Sequence, residues 1–159
     1  MMRKTVLLVV GLALILSGVA MAANNDSHQV TVQVSAINEL AITGANLTLT
    51  IDSATAGSEP NDATDSTTCD LLWTTNQASK KITVATNLNP QNFTLKVVAQ
   101  SVTGGTAVSE VTLSTTATEF VTGIATTIGN CDLAYTASAT AAEGTGSDAH
   151  TVTYTLTAA

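Results

Sequence analysis

The sequence predicts an all-β protein: a two-sheet antiparallel β-sandwich, Ig-like or jelly-roll in topology, of about eight or nine strands behind an N-terminal leader. Three observations carry that prediction. Threonine and alanine dominate behind residue 22, with 29 Thr and 21 Ala in 137 residues, and the Cβ branching of Thr and Val suits a pleated strand. Apolar residues recur with a period of two in run after run, the pattern of a half-buried strand. No stretch behind the leader keeps a helical apolar period over three turns. A closed soluble barrel is the alternative arrangement of the same strands.

The elements follow in order. Met1-Met2-Arg3-Lys4 is a basic start, Val6 to Leu16 an apolar run, and Ala20-Met21-Ala22 a small-x-small site. This order predicts a secretory signal peptide over 1–22, cut before Ala23, and the apolar run is too short to span a membrane. Residues 23–159 then form a single domain. Val30, Val32 and Val34 alternate with Thr31 and Gln33 in a strand at the free N-terminus, 23–34, which can exchange between copies. Leu40 and Ile42 keep the same parity, and Leu47, Leu49 and Ile51 alternate with Thr48 and Thr50. Further strands are read at Cys69 to Trp73, Ile82 to Val84, Phe93 to Ala99, Val111 to Leu113, Cys131 to Tyr135 and Val152 to Leu156. Turn residues at Asn76 to Ser79, Asn87 to Gln91 and Gly104-Gly105 separate them. Asp52 to Thr68 is a long acidic connection, and Thr115 to Gly129 holds one strand or two short ones.

Charge narrows the function. All 12 acidic residues lie behind residue 22, where only Lys80, Lys81 and Lys96 are basic, so the processed chain carries −9 with His neutral. Such a surface repels phosphate backbones and anionic lipid, which argues against nucleic acid as a partner. The aromatics are Trp73, Phe93, Phe120, Tyr135 and Tyr154, too few for the girdles of an outer-membrane barrel. The residue directly after the cleavage site is Ala23 rather than Cys, and no hydrophobic tail closes the chain, so neither lipid nor a GPI-type anchor is expected. The expected location is secreted, extracellular or cell-surface, with periplasmic transit allowed, and no membrane span remains in the processed chain.

Two internal echoes stand out. Cys69-Asp70-Leu71-Leu72-Trp73-Thr74 is matched by Cys131-Asp132-Leu133-Ala134-Tyr135-Thr136, with Cys, Leu and the aromatic on one strand face. In an oxidising compartment this predicts a disulfide between Cys69 and Cys131, at facing positions of the core. The second echo joins Asp26-Ser27-His28-Gln29-Val30-Thr31-Val32 to Asp148-Ala149-His150-Thr151-Val152-Thr153-Tyr154. The first and last strands therefore fit similar slots, in one domain or in a neighbour's.

Signals for chemistry are sparse. Ser147, Asp148 and His150 fall in one Gly-flanked loop, whereas a catalytic triad converges from separated segments beside an oxyanion hole. The chain is therefore expected not to be an enzyme, and no catalytic residue is assigned. Asp26, His28, Asp148 and His150 are candidates for a two-histidine, two-carboxylate Zn²⁺ cluster if the terminal strands align. Asp52, Glu59, Asp62, Asp65 and Asp70 offer hard oxygens for Ca²⁺, without the spacing of an EF-hand loop. Solvated acids on an exported surface explain them more simply, so no cofactor is expected beyond that candidate Ca²⁺. Trp73 shares the phase of Cys69 and Leu71, which places it in the core rather than on a sugar-stacking platform.

The arm Val30 to Val34, the Cys69/Cys131 pair and the closing strand Val152-Thr153-Tyr154-Thr155-Leu156 resemble secreted surface and fimbrial β-sandwich subunits of prokaryotes, pilin-like or WxL-like. Tyr154 stands where WxL-type domains carry Trp, and five residues follow it, unlike the penultimate aromatic of chaperone–usher pilins. The resemblance implies a non-catalytic structural or adhesive subunit of a surface, filament or extracellular matrix. Its expected partners are further copies, as a homo-oligomer or filament, or other surface proteins. A secreted carbohydrate- or ligand-binding sandwich is the alternative.

Overall fold

A computed structural model describes residues 24–159; the signal-peptide reading of 1–22 lies outside them. The chain divides into two units, Met1–Gln33 and Val34–Ala159. In the first, the described residues 24–33 form no strand. The second holds ten strands: β1 Asn38–Thr43, β2 Ala63–Asp65, β3 Asp70–Thr75, β4 Lys80–Thr86, β5 Thr94–Thr103, β6 Thr106–Ala107, β7 Val111–Thr112, β8 Thr118–Ile124, β9 Thr127–Ser138 and β10 Val152–Ala158.

They make two antiparallel sheets, as the alternation predicted. One runs β1-β3-β9-β5-β7, with β2 on the edge of β9 beyond β3; the other runs β10-β4-β8-β6. Register follows the hydrophobic parity: Leu40 lies opposite Trp73, Leu71 opposite Cys131, Leu95 opposite Ala137 and Tyr154 opposite Val84. A one-residue slip would turn these side chains to solvent, so burial of one face fixes the pairing. Leu71, Trp73, Ile82, Val84, Val97, Phe120, Val121, Leu133 and Cys131 fill the space between the sheets. Gly129 is required there: a Cβ on it would collide with the Trp73 indole. Tyr154 packs on Phe120 with ring centroids 5.2 Å apart. Its hydroxyl meets that of Tyr135 at 2.9 Å, joining the two sheets.

The predicted disulfide is not formed. Cys69 and Cys131 are free thiols. The two residues share the inward phase, but both sit on the inner face of the same sheet. Cys131 lies opposite Leu71, and the Cys69 carbonyl accepts the Leu133 N–H at 2.9 Å. The two cysteines are thus diagonal neighbours on adjacent strands. Diagonal positions stand about 7–8 Å apart, too far for a bridge that needs Cβ atoms about 3.5–4.5 Å apart.

Two segments that read as strands pair with nothing described. The arm through Val34 is exposed and joins no sheet, and Asn46–Ile51 joins neither sheet. The acidic connection contributes β2 and a short bridge between Ala54 and Pro60. The 115–129 stretch holds β8, a turn and the start of β9.

Candidate functional site

After β1 the chain turns at Gly44. Its φ of +105° favours glycine, and a Cβ there would strike the Thr68 carbonyl. Beyond the turn, residues 45–54 leave the sheet edge and share a groove with inner-face residues of the larger sheet. There Leu47, Leu49 and Ile51 are half-buried while Thr48 and Thr50 face out. The alternation is that of a strand, yet among the described residues no backbone group of 46–51 makes a backbone hydrogen bond.

Beside this segment lies an open groove of about 1070 Å³. Residues 45–54 and 144–150 line its sides; Cys69, Leu95, Tyr135 and Ala137, inner-face residues of the larger sheet, line it with Val152 at the start of β10. Ile42 is also on the core face of β1, opposite Leu71, yet is 50% exposed because it opens into the groove. The smaller sheet covers one part of the inner face, and the groove is the part left uncovered.

The 144–150 side is fixed by Asp148. Its carboxylate accepts the Asn92 N–H at 2.7 Å, the Asn92 side-chain amide at 2.6 Å and the Phe93 N–H at 2.9 Å. Burial alone would raise this carboxyl; the donors outweigh it and hold the group below its ordinary value. His150 Nδ1 shares a 3.0 Å hydrogen bond with the buried Thr86 hydroxyl, and its Nε2 lies 4.0 Å from Asp148. Burial lowers the His150 pKa, and Asp148 only partly offsets this, so the ring is neutral at pH 7.

Ser147, Asp148 and His150 all line the groove, but Asp148 is committed to the 92–93 turn and His150 to Thr86. Of the zinc candidates, Asp148 and His150 come together, while Asp26 and His28 are exposed residues of the arm. Of the acidic-loop candidates, Asp65 accepts the Thr67 and Thr68 N–H groups and the Thr68 hydroxyl. Glu59 accepts the Ala141 N–H, Asp52 lines the groove, and the Thr43 hydroxyl donates to Asp70. Among the described residues no three His, Cys, Asp or Glu side chains gather around one point. Burial, helped by the Asp132 and Asp70 carboxylates, pushes the Cys131 thiol up to about 12; burial also raises Cys69. Neither is poised as a thiolate.

Sequence reading missed a repeated clamp at the roots of the edge strands. Asn76 accepts the Ile37 N–H through Oδ1 at 2.8 Å and donates its own N–H to the Ile37 carbonyl. Asn87 does the same to Thr151, at 2.7 Å. Each Asn follows a buried Thr, Thr75 or Thr86, whose hydroxyl accepts the N–H two residues on. The Thr-Asn pair after each partner strand was the available signal. Asn76 also donates to the Ser35 carbonyl at 2.7 Å.

No protein-family model, characterised protein or solved structure matches this chain.

Proposed function

We propose that this protein is a non-catalytic, exported structural or adhesive subunit of a cell surface, filament or extracellular matrix, assembling by β-strand addition through its N-terminal arm. The observation that carries this reading is the arm itself. Val30, Val32 and Val34 are 71%, 84% and 73% exposed, alternate with Thr31 and Gln33 in sequence, and belong to a segment with no strand partner among the described residues. Free strand edges and alternating apolar arms attract further chains, and burying each valine on a neighbour contributes about 1.5–3 kcal/mol. Processing before Ala23 leaves this arm at the free end of the chain. Trp73 is only 2% exposed and Tyr154 is turned into the core, so the larger aromatics serve packing rather than a sugar platform.

The test is assembly of the processed chain, 23–159, against a chain beginning at Ser35. Light scattering and negative-stain imaging should show oligomers or filaments for the first and monomers for the second. Stable monomers from both at high concentration would defeat the proposal. Mass spectrometry of exported protein should find Ala23 as the first residue.

A further inference from the structure

We propose that the groove between residues 45–54 and 144–150 is the receptor for the arm of a second copy, which pairs with Asn46–Ile51 as a new neighbouring strand. The proposal rests on the strand-addition reading and adds its acceptor. Three features of the groove point to this occupant. Asn46–Ile51 has a strand's alternation and half-buried apolar side chains but no ladder among the described residues. Backbone left without hydrogen bonds beside an apolar face is satisfied by those another strand would supply. Ile42, Leu47, Leu49 and Ile51 stay partly exposed on their inward side, so the core is one strand short at this end.

The arm fits what is missing. Val30, Val32 and Val34 repeat at the two-residue spacing of Leu47, Leu49 and Ile51, about 6–7 Å between successive side chains in either segment. A strand laid beside 46–51 turns its own inward residues to the same face, here toward Leu95 and Tyr135. The nine residues Asp26 to Val34 reach about 30 Å when extended, enough to run the full length of 46–51 and beyond. A compact small ligand would leave the 46–51 backbone unpaired; a strand does not. Donor and acceptor are different surfaces of one chain. The contact is therefore heterologous and continues from copy to copy without need to close.

Amide hydrogen exchange on the processed chain, assembled and diluted to dissociation, tests this directly. Assembly should slow exchange by more than about tenfold in Asn46–Ile51 and in the arm together. Protection of the arm with 46–51 unchanged would overturn the groove as acceptor while leaving strand addition standing. A chain monomeric at every concentration would remove both, even if its arm were protected within its own groove. A second measurement needs no variant of the domain. A synthetic peptide of residues 24–34, added in excess, should cap the acceptors and shorten the assemblies. The same peptide with Val30, Val32 and Val34 replaced by Asp should not. Equal effects of the two peptides, or none from either, would count against the groove.

Discussion

β1 and β10 begin alike and differ in what precedes them. Both are edge strands paired antiparallel on one side, β1 with β3 and β10 with β4. Both are rooted by an Asn that follows the partner strand and closes a two-bond ring with the residue before the edge strand. The Asp-x-His-x-Val-Thr echo ends at Thr31, upstream of the Ile37 root, on the β1 side and runs through the Thr151 root into β10 on the other. On the β10 side, Asp148 draws three donors from the 92–93 turn and His150 bonds Thr86, so the segment becomes one side of the groove. On the β1 side, Asp26 accepts only the neighbouring Ser27 N–H among the described residues, and the valines stay exposed. The same pattern thus makes a fixed wall or a free arm, according to whether other segments supply partners.

The largest difference is expected in the aromatic of the echo. Tyr154→Ala removes the ring packed on Phe120 and strands the Tyr135 hydroxyl, a loss of about 3–5 kcal/mol for a large buried aromatic. Val32→Ala at the matching arm position should change monomer stability by less than about 0.5 kcal/mol. Denaturant unfolding at a concentration where the chain is dissociated measures both. Comparable losses at the two sites would mean that the arm is part of its own domain's core.

The strand face of each residue was legible; its neighbour across the space was not. Leu71, Trp73 and Leu133 were placed in the core by parity, and they are there. The same parity put Cys69 and Cys131 inward but could not say whether they met across two sheets or lay diagonally on one, because pairing order is set by contacts distant in sequence. The groove was hidden for a related reason. Leu47, Leu49 and Ile51 read as an ordinary strand, and only the Gly44 turn shows that this strand lacks a neighbour. The free thiols give a check: in the native protein a thiol reagent should leave the buried Cys131 unlabelled and reach Cys69, at the groove, only slowly, and it should label two per chain after denaturation without reductant. One disulfide and no thiols would restore the bridge.

A smaller effect separates Asp148 from Asp26. Asp148→Ala leaves the Asn92 and Phe93 donors unpaired and should cost about 2 kcal/mol, the scale for hydrogen bonds to a charged group, against almost nothing for Asp26→Ala. The dependence on pH sharpens this. The His150 pKa is held below its ordinary 6.5 by burial, so below that pH the unfolded chain takes up a proton that the folded chain refuses, and stability falls as pH drops. The Asp148 pKa is held below 3.8, so its contribution is present above that pH and is lost as pH falls through the folded value. Acid unfolding should therefore show an early decline that His150→Gln flattens and a later one that Asp148→Asn reduces.

The smallest expected effect tests the element that β1 and β10 share. Asn76→Ala and Asn87→Ala each remove a side-chain acceptor, leaving the Ile37 or Thr151 N–H without its partner, at about 1 kcal/mol apiece. Their consequences should nevertheless differ in place. Loss of Asn87 loosens a segment that Asp148 still holds, so faster amide exchange should stay close to Thr151. Loss of Asn76 also releases the Ser35 carbonyl, and among the described residues no second anchor like Asp148 stands upstream. Faster exchange should therefore spread from Ile37 into the start of β1, effectively lengthening the free arm. If the strand-addition reading holds, a longer arm still docks, and Asn76→Ala should assemble with altered spacing between subunits rather than fail to assemble. Equal, local effects from both substitutions would show that the arm has a further anchor and that the two edge strands are held alike.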